Sequence, residues 1–332
     1  MSETGLTVLD GTHLRSLNPS LPELNGAVTG SQLLEIADSK ASTYLFGLSL
    51  PQNLKASALS RVIAGAVYGH DDDVTFREAE LDRDKASKFL SDYISAIADE
   101  MKDDPLVVSI LDGNTLKMFL EDEDDYAMLA ENLFTDMDIE DKGKICKSEI
   151  RNALVHMGVE MGIPPFSEFP LLNDILKKHG AEGEEELGQA QFAELLQPIL
   201  QETADALSEK HVVVIHNIKV VNGSELRKVL ADEKQFNDVA ERVLLETKTE
   251  KDGLHKTKLI RSFLDKHGKD FGLPPSESNE AVVLLYDAVF SEIENEKSVA
   301  QADNEFRELV KDILEKFAEQ LEANPVFCEL GN

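Results

Sequence analysis

The most regular pattern in the chain is a helical spacing of apolar residues that occurs three times. In each of three segments, apolar residues recur at steps of three and four, which places them on one face of an α-helix. The three sets are Leu90, Tyr93, Ile94, Ile97 and Met101; Phe192, Leu195, Leu196, Ile199, Leu200 and Leu207; and Phe306, Leu309, Val310, Ile313, Leu314, Phe317 and Leu321. Pro198 predicts a kink or a break in the second helix, because proline removes a hydrogen bond and crowds the preceding turn.

A second pattern indicates that the chain is built from repeats. Two apolar residues, then Asp or Asn, then Gly, occur at 8–11, 110–113 and 220–223, and a Leu follows three residues after each Gly. The second and third copies lie 110 residues apart, and residues 162–165, Gly-Ile-Pro-Pro, recur at the same offset as Gly-Leu-Pro-Pro at 272–275. The first copy lies 102 residues before the second and lacks the Pro-Pro pair. We therefore predict three units, residues 1–109, 110–219 and 220–332.

Cap and turn residues predict what lies between the helices. Asn114 and Ser224 follow the conserved-looking Gly of their units and fit the N-cap of a helix. The Pro-Pro pairs end one helix and start a new segment. The acidic run at 121–125 fits an exposed helix start, where carboxylates suit the helix dipole. Strand signals are few, and the best run, residues 211–215, predicts either a short strand or a buried linker.

The charge balance narrows the range of partners. Formal net charge is −31, from 64 acidic and 33 basic residues, so the chain should repel nucleic-acid phosphates and anionic membranes and should favour cations and basic proteins. The two cysteines, Cys146 and Cys328, suggest neither a disulfide framework nor a zinc site. No signal-peptide pattern and no long apolar run is visible, so we expect no membrane insertion and a cytoplasmic or nuclear location.

Residues 138–149 carry the pattern of a twelve-residue EF-hand loop, which surrounds Ca²⁺ with oxygen ligands. Asp138 stands at position 1, Glu140 at 3, and Glu149 at 12, where a carboxylate closes the site. Lys144 would contribute its backbone carbonyl at position 7. Gly143 occupies position 6, where the chain turns in a conformation that only glycine adopts cheaply.

Two other positions of this loop complete the prediction. Ile145 at position 8 is expected to pair with the neighbouring loop, as the loops of paired EF-hands do. Lys142 at position 5 departs from the pattern, because a cation stands where a carboxylate or amide belongs. The loop therefore either binds Ca²⁺ weakly or keeps its shape for pairing and binds no ion.

The remaining loops depart further from the EF-hand pattern, although 69–80 keeps carboxylates at positions 3, 5 and 12. The second loop of the second unit, 180–191, has Gly at position 1 and Gln at 12, and a similar skeleton is placed at 69–80 in the first unit. We place the first loop of the first unit at 50–54, and those of the third unit around 252–254 and 292–305. The predicted fold class is all-α, with three tandem EF-hand-pair-like units and mostly degenerate loops.

The sequence resembles a plant family of atypical EF-hand proteins. This family includes the calcium sensor that interacts with sucrose-nonfermenting-related protein kinases. Leu111-Asp112-Gly113, then residues 119–123 (Phe-Leu-Glu-Asp-Glu), then one better-formed hand carry the resemblance, which extends over about 110–325. It implies Ca²⁺ binding at Asp138, Glu140, Lys144 and Glu149. It also implies regulation of a protein kinase or another target protein by contact.

The function predicted from these patterns is that of a calcium-binding regulatory protein, not an enzyme. The sequence contains no phosphate-binding loop, dinucleotide-binding glycine pattern, nucleophile elbow or zinc-protease motif. Five of the seven methionines lie in the second unit, where they either fill gaps in the core or line a groove for target helices. The alternative function is a calcium-independent adaptor or inhibitor scaffold that retains the EF-hand shape.

Overall fold

The computed structural model describes residues 5–17, 19–21, 27–64, 73–249, 256–296 and 303–329. Within these residues the chain is mostly helical, as predicted. The all-α prediction is only approximate, because the described residues also form nine short strands in four small sheets. Two-residue and four-residue strands carry too little alternation to be recognised in the sequence.

The first unit contains five described helices and opens and closes with a strand. In chain order the elements are β1 (Leu6–Leu9), α1 (Thr12–Arg15), β2 (Val28–Thr29), α2 (Gly30–Tyr44), α3 (Gln52–Ile63), α4 (Asp73–Glu78), β3 (Glu80–Leu81), α5 (Arg83–Asp103) and β4 (Leu106–Leu111). β4 closes the first unit and also opens the second.

The second unit follows with its own closing strand. Its elements are α6 (Asn114–Glu121), α7 (Glu123–Met137), β5 (Ile145–Cys146), α8 (Glu149–Met157), α9 (Leu171–Lys178), β6 (Glu186–Leu187), α10 (Gln189–Glu209) and β7 (Val212–Ile215). A 3₁₀ turn, Val159–Met161, follows α8. The strand alternative for residues 211–215 is therefore correct. α10 continues through Pro198 from Gln189 to Glu209, so the helix does not break there, and the alternative of a kink stays a prediction.

The third unit has an opening strand of its own. Its elements are β8 (Ile218–Val221), α11 (Ser224–Ala231), α12 (Glu233–Thr249), α13 (Lys256–His267), a 3₁₀ turn (Gly268–Phe271), α14 (Glu280–Glu296), α15 (Asp303–Ala323) and β9 (Val326–Glu329). The three long helices predicted from apolar spacing are α5, α10 and α15. Their stripes are buried, apart from Leu195, which is half-buried.

The strands at the ends of the units pair with each other. One sheet has the order β1-β4-β7, and β4 runs antiparallel to β7 with Val108 opposite Ile215 and Leu111 opposite Val212. In the third unit β8 pairs antiparallel with β9. β4 spans the predicted boundary between the first two units at residues 109 and 110, whereas β8 and β9 both lie within the third.

The Asp/Asn-Gly pair has one structural role in all three units. The side-chain oxygens of Asp10, Asp112 and Asn222 accept a hydrogen bond from the backbone N–H two residues later, at 2.9–3.1 Å. The following glycines have φ of 76°, 83° and 80°. The prediction that Asn114 and Ser224 are N-caps is therefore wrong by one residue, because Gly113 and Gly223 occupy the N-cap position.

Two clusters of buried apolar residues lie within the predicted second and third units. In the second unit, α10 packs on α6 and α7, and Leu116, Leu154 and Phe192 are fully buried. Met157 lies in this core, whereas Met118 is 70% and Met128 60% exposed, so the methionines share no single role. Asp122 caps α7 by accepting from the N–H groups of Asp124 and Asp125, which confirms that the acidic run is a helix start.

Contacts between residues divide the chain into two compact bodies. The first contains Met1–Glu100 and Val107–His216, and the second contains Met101–Leu106 and Asn217–Asn332. The three-unit division at 109 and 219 stays a prediction. In the part of the chain that the structure describes, no helix is long and apolar enough to cross a membrane.

Candidate functional site

The loop between α7 and α8 begins with Asp138, which folds its carboxylate back onto the loop. Oδ1 accepts the N–H of Lys142 at 2.9 Å, and Oδ2 accepts the N–H of Gly143 at 2.6 Å. The chain reverses through two residues with positive φ, Asp141 at 50° and Gly143 at 68°. The residue predicted for the first ligand therefore organises the turn, and glycine stands where a left-handed conformation is required.

A two-residue antiparallel ladder joins this loop to the second loop of the unit. Ile145 lies opposite Leu187, and Cys146 lies opposite Glu186. Ile145 and Leu187 are 5% and 7% exposed, so the ladder is anchored in the core. Both residues stand at position 8 of their twelve-residue loops, 138–149 and 180–191. The predicted pairing of Ile145 with the neighbouring loop is therefore confirmed.

Further contacts hold the two loops together on the outside. The backbone N–H of Lys147 donates to the carbonyl of Glu185 at 2.8 Å, and Ser148 donates to Gly183 at 3.2 Å. The Lys147 ammonium lies 3.2 Å from the Glu185 carboxylate, and that of Lys144 lies 3.4 Å from Glu186. The sequence analysis missed these glutamates, because their role depends on the register between two loops about forty residues apart.

The side chains predicted as ion ligands have other partners in the structure. Glu140 pairs with the ammonium of Lys142, and this hydrogen bond and charge raise the pKa of Lys142 above its ordinary value. Glu149 is the first residue of α8 and accepts a hydrogen bond from Asn152 Nδ2 at 2.7 Å. Among the described residues, Asp138, Glu140 and Glu149 are not gathered into a group of three that could hold a metal ion.

The helices on either side connect the loops to the core of the unit. On α7, the Phe134 ring packs edge-to-face against Phe192 of α10, with ring centroids 5.7 Å apart. The Tyr126 hydroxyl donates to the Ala193 carbonyl, and burial raises the pKa of Tyr126. A movement of α7 would therefore reach α10 directly through packed aromatic side chains.

The second loop of this unit, 180–191, lacks a carboxylate at both its first and its closing position. Gly180 and Gly183 have φ of 65° and 110°. Gln191, at the position of the closing ligand, accepts the backbone N–H of Gly188 at 3.1 Å and so caps the start of α10. The last side chain of this predicted loop therefore caps the helix that follows it.

Both loops predicted for the first unit were placed at the wrong residues. Residues 52–54 open α3, so 50–54 is not the first loop. Residues 69–72 lie outside the described residues, but Asp73–Glu78 is a helix and the strand follows at Glu80–Leu81, so the twelve-residue frame at 69–80 is wrong. β3 pairs with β2, with Leu81 opposite Val28. The strand that pairs with β3 thus lies at Val28–Thr29, before α2, and not at residues 50–54.

The two loops predicted for the third unit cannot be compared in full. Residues 252–254 lie outside the described part of the chain, and so do 297–302 within the predicted loop 292–305. The chain that follows the first of these loops forms α13 from Lys256 onward.

Comparison of the chain with protein-family models, with curated proteins and with solved structures finds no match. The resemblance to the plant EF-hand proteins therefore stays a prediction.

Proposed function

We propose that the protein is a calcium-binding regulatory protein that acts by contact with a target protein. The observation that carries this proposal is the register of Ile145 opposite Leu187, each at position 8 of its loop. Two loops paired at this position, one of them with Gly143 at the turn and carboxylates at positions 1, 3 and 12, have the arrangement in which EF-hands bind Ca²⁺.

In this proposal Ca²⁺ takes oxygen ligands from Asp138, Glu140, the Lys144 carbonyl and Glu149. Glu149 leaves Asn152 and turns into the loop, which draws the start of α8 with it. Because α8 packs on α7, the rearrangement reaches the core of the second unit and alters the apolar surface offered to a partner. A protein kinase as the partner rests on the resemblance alone.

A second candidate function is a calcium-independent adaptor or inhibitor scaffold. The observation that favours it is the Glu140–Lys142 pair, in which an ammonium belonging to the chain already compensates a carboxylate of the loop. With Lys142 at position 5, the loop can keep its shape without an ion. The acidic surface would then recognise basic proteins directly.

A calorimetric Ca²⁺ titration of the chelator-stripped protein, in millimolar Mg²⁺, separates these functions. The calcium-binding function predicts one saturable Ca²⁺ site that Glu149→Gln abolishes. Glu160→Gln, which changes the charge by the same amount outside the loop, should leave that site intact. If the unmodified protein shows no heat of binding at millimolar Ca²⁺, the adaptor function is favoured instead.

A further inference from the structure

A groove of about 690 Å³ lies within the first compact body. One wall is the turn at 47–49, between α2 and α3, and another is the segment 165–171, between the 3₁₀ turn and α9. The third side is formed by residues 210–215, which include all of β7. The groove thus lies where the central connections of the first two units approach the strand that closes the second.

The groove follows the edge of β7 and not one of its faces. Successive residues of a strand point to opposite faces of the sheet, yet Val212, Val213, Val214 and Ile215 all line the groove. A space in contact with every residue of a strand must run beside its backbone. In the described sheet β7 has a single neighbouring strand, β4, so its other edge faces this space.

The register identifies the backbone groups that face the groove. The N–H of His216 donates to the carbonyl of Val107 at 2.8 Å, so residue 216 belongs to a hydrogen-bonded pair of the β4–β7 ladder. Hydrogen-bonded positions alternate along an antiparallel strand. The N–H and C=O groups of Val212 and Val214 therefore point to β4, and those of Val213 and Ile215 point outward.

The size and chemistry of the groove fit an extended peptide. Six residues of strand extend for about 20 Å at roughly 3.4 Å per residue, so four to six residues of a partner can lie beside them. Val212 and Val214 pack on the core, whereas Ile215 is 39% exposed and offers apolar surface. On the opposite wall, a Cβ atom at Gly47 would meet no other atom within 4 Å, so no side chain crowds this part of the groove.

Residues 212–215 contain no charge or proline, two of the features that commonly protect an exposed strand. A second copy of the chain is disfavoured as the occupant, since each copy carries a net charge of −31. Within the groove, the charges of Lys210 and Glu168 cancel. The net negative charge of the whole chain therefore favours a positively charged partner.

We propose that the groove binds an extended, apolar segment of a basic partner protein, which adds to the sheet as a strand beside β7. The outward N–H and C=O groups of Val213 and Ile215 supply the main-chain hydrogen bonds. Basic residues on either side of the segment interact with the acidic chain. This binding mode does not require Ca²⁺ and does not depend on the function proposed for the loop 138–149.

The test is fluorescence anisotropy in EDTA with a labelled peptide, Lys-Lys-Val-Thr-Val-Thr-Val-Lys-Lys, as the probe. Val213→Pro removes an outward N–H without touching the ladder with β4 and should weaken binding about tenfold or more. Val213→Ala is the matched control, because it shortens the side chain and keeps the N–H; it should stay within about threefold of the unmodified protein.

Two further peptides keep the test independent of the folding of the variant. They are N-methylated at alternate residues, in opposite phases. The phase that blocks the N–H groups facing β7 should lose binding, and the other should retain it. Equal binding of both peptides, or no saturable binding up to about 1 mM, would overturn the proposal. Sedimentation showing self-association that Val213→Pro abolishes would also overturn it, in favour of a second copy.

Discussion

Gly113 approaches the backbone of Ala204 so closely that a Cβ on the glycine would lie 2.2 Å from the Ala204 carbonyl oxygen. The same contact joins Gly11 to Ala98, at 2.5 Å, and Gly223 to Ala318, at 2.9 Å. In each unit the start of the first helix thus rests on the last long helix. Two constraints meet at these glycines, a left-handed backbone and the absence of space for a side chain.

Gly113→Ala should therefore destabilise the protein strongly. We expect a loss on the order of 3 kcal/mol in the free energy of unfolding, from left-handed strain together with overpacking. Urea denaturation followed by circular dichroism measures it. Gly180→Ala is the control, because Gly180 has φ of 65° and open space around its Cβ position, so that only the strain of about 1–2 kcal/mol applies. Equal losses in the two variants would contradict the packing argument.

Lys142→Asp should strengthen Ca²⁺ binding by about tenfold or more, because it removes the ammonium paired with Glu140 and restores an oxygen ligand at position 5. Calorimetric titration gives the dissociation constants. Lys144→Asp changes the net charge of the chain by the same amount, but position 7 contributes only its carbonyl, so its gain should be about threefold at most. Similar gains in both variants would mean that general charge, and not the ligand position, sets the affinity.

Ile145→Ala should separate the two loops of the second unit. Removing this buried side chain from the ladder opposite Leu187 should cost about 2–4 kcal/mol. Hydrogen exchange should then show faster exchange of amides at 145–147 and 185–187. Cys146→Ala, at the adjacent half-buried rung, is the comparison and should cost about 1 kcal/mol or less. The pairing would be unimportant if Ile145→Ala left the exchange of both loops unchanged.

Glu202 should contribute a pH-dependent part of the stability. Hydrogen bonds from Lys178 and His179 lower the pKa of Glu202 below its ordinary value of 4.5. A carboxyl whose pKa is lowered by folding stabilises the folded protein at pH values above its unfolded-state pKa. This contribution disappears as the pH falls through its folded-state pKa. Glu202→Gln should therefore be less stable than the unmodified protein at pH 7, and the two should converge once the pH falls below the folded-state pKa of Glu202.

The control for this experiment is Glu194→Gln, an exposed glutamate on the same helix, which should change the stability little at either pH. Thermal unfolding measured from pH 3 to 7 gives the comparison. A difference between Glu202→Gln and the unmodified protein that persists unchanged at the acidic end would show that packing, and not ionisation, causes it.

Local periodicity made a large part of this fold predictable. The stripes ending at Met101, Leu207 and Leu321 identified the three long helices, because a period of three to four residues reports one buried face without knowledge of the partner. Within the site, Gly143 and Ile145 were also predictable. The turn needs a residue that adopts a left-handed backbone, and the pairing position needs a buried apolar side chain.

Other features were decided only by the tertiary structure. The loops of the first unit were misplaced because the two-residue strands at Val28 and Glu80 have no period, and their pairing depends on a partner more than fifty residues away. The partners of Glu140 and Glu149 are likewise invisible in a spacing pattern.

By itself, the sequence determined the repeat, the long helices and the chemistry available in residues 138–149. The tertiary structure decided which strands pair at the ends of the units, that β4 serves two units, and that the edge of β7 borders a groove. The physical reason is that helices satisfy their backbone groups locally, whereas short strands depend on hydrogen bonds to residues that are distant in the chain.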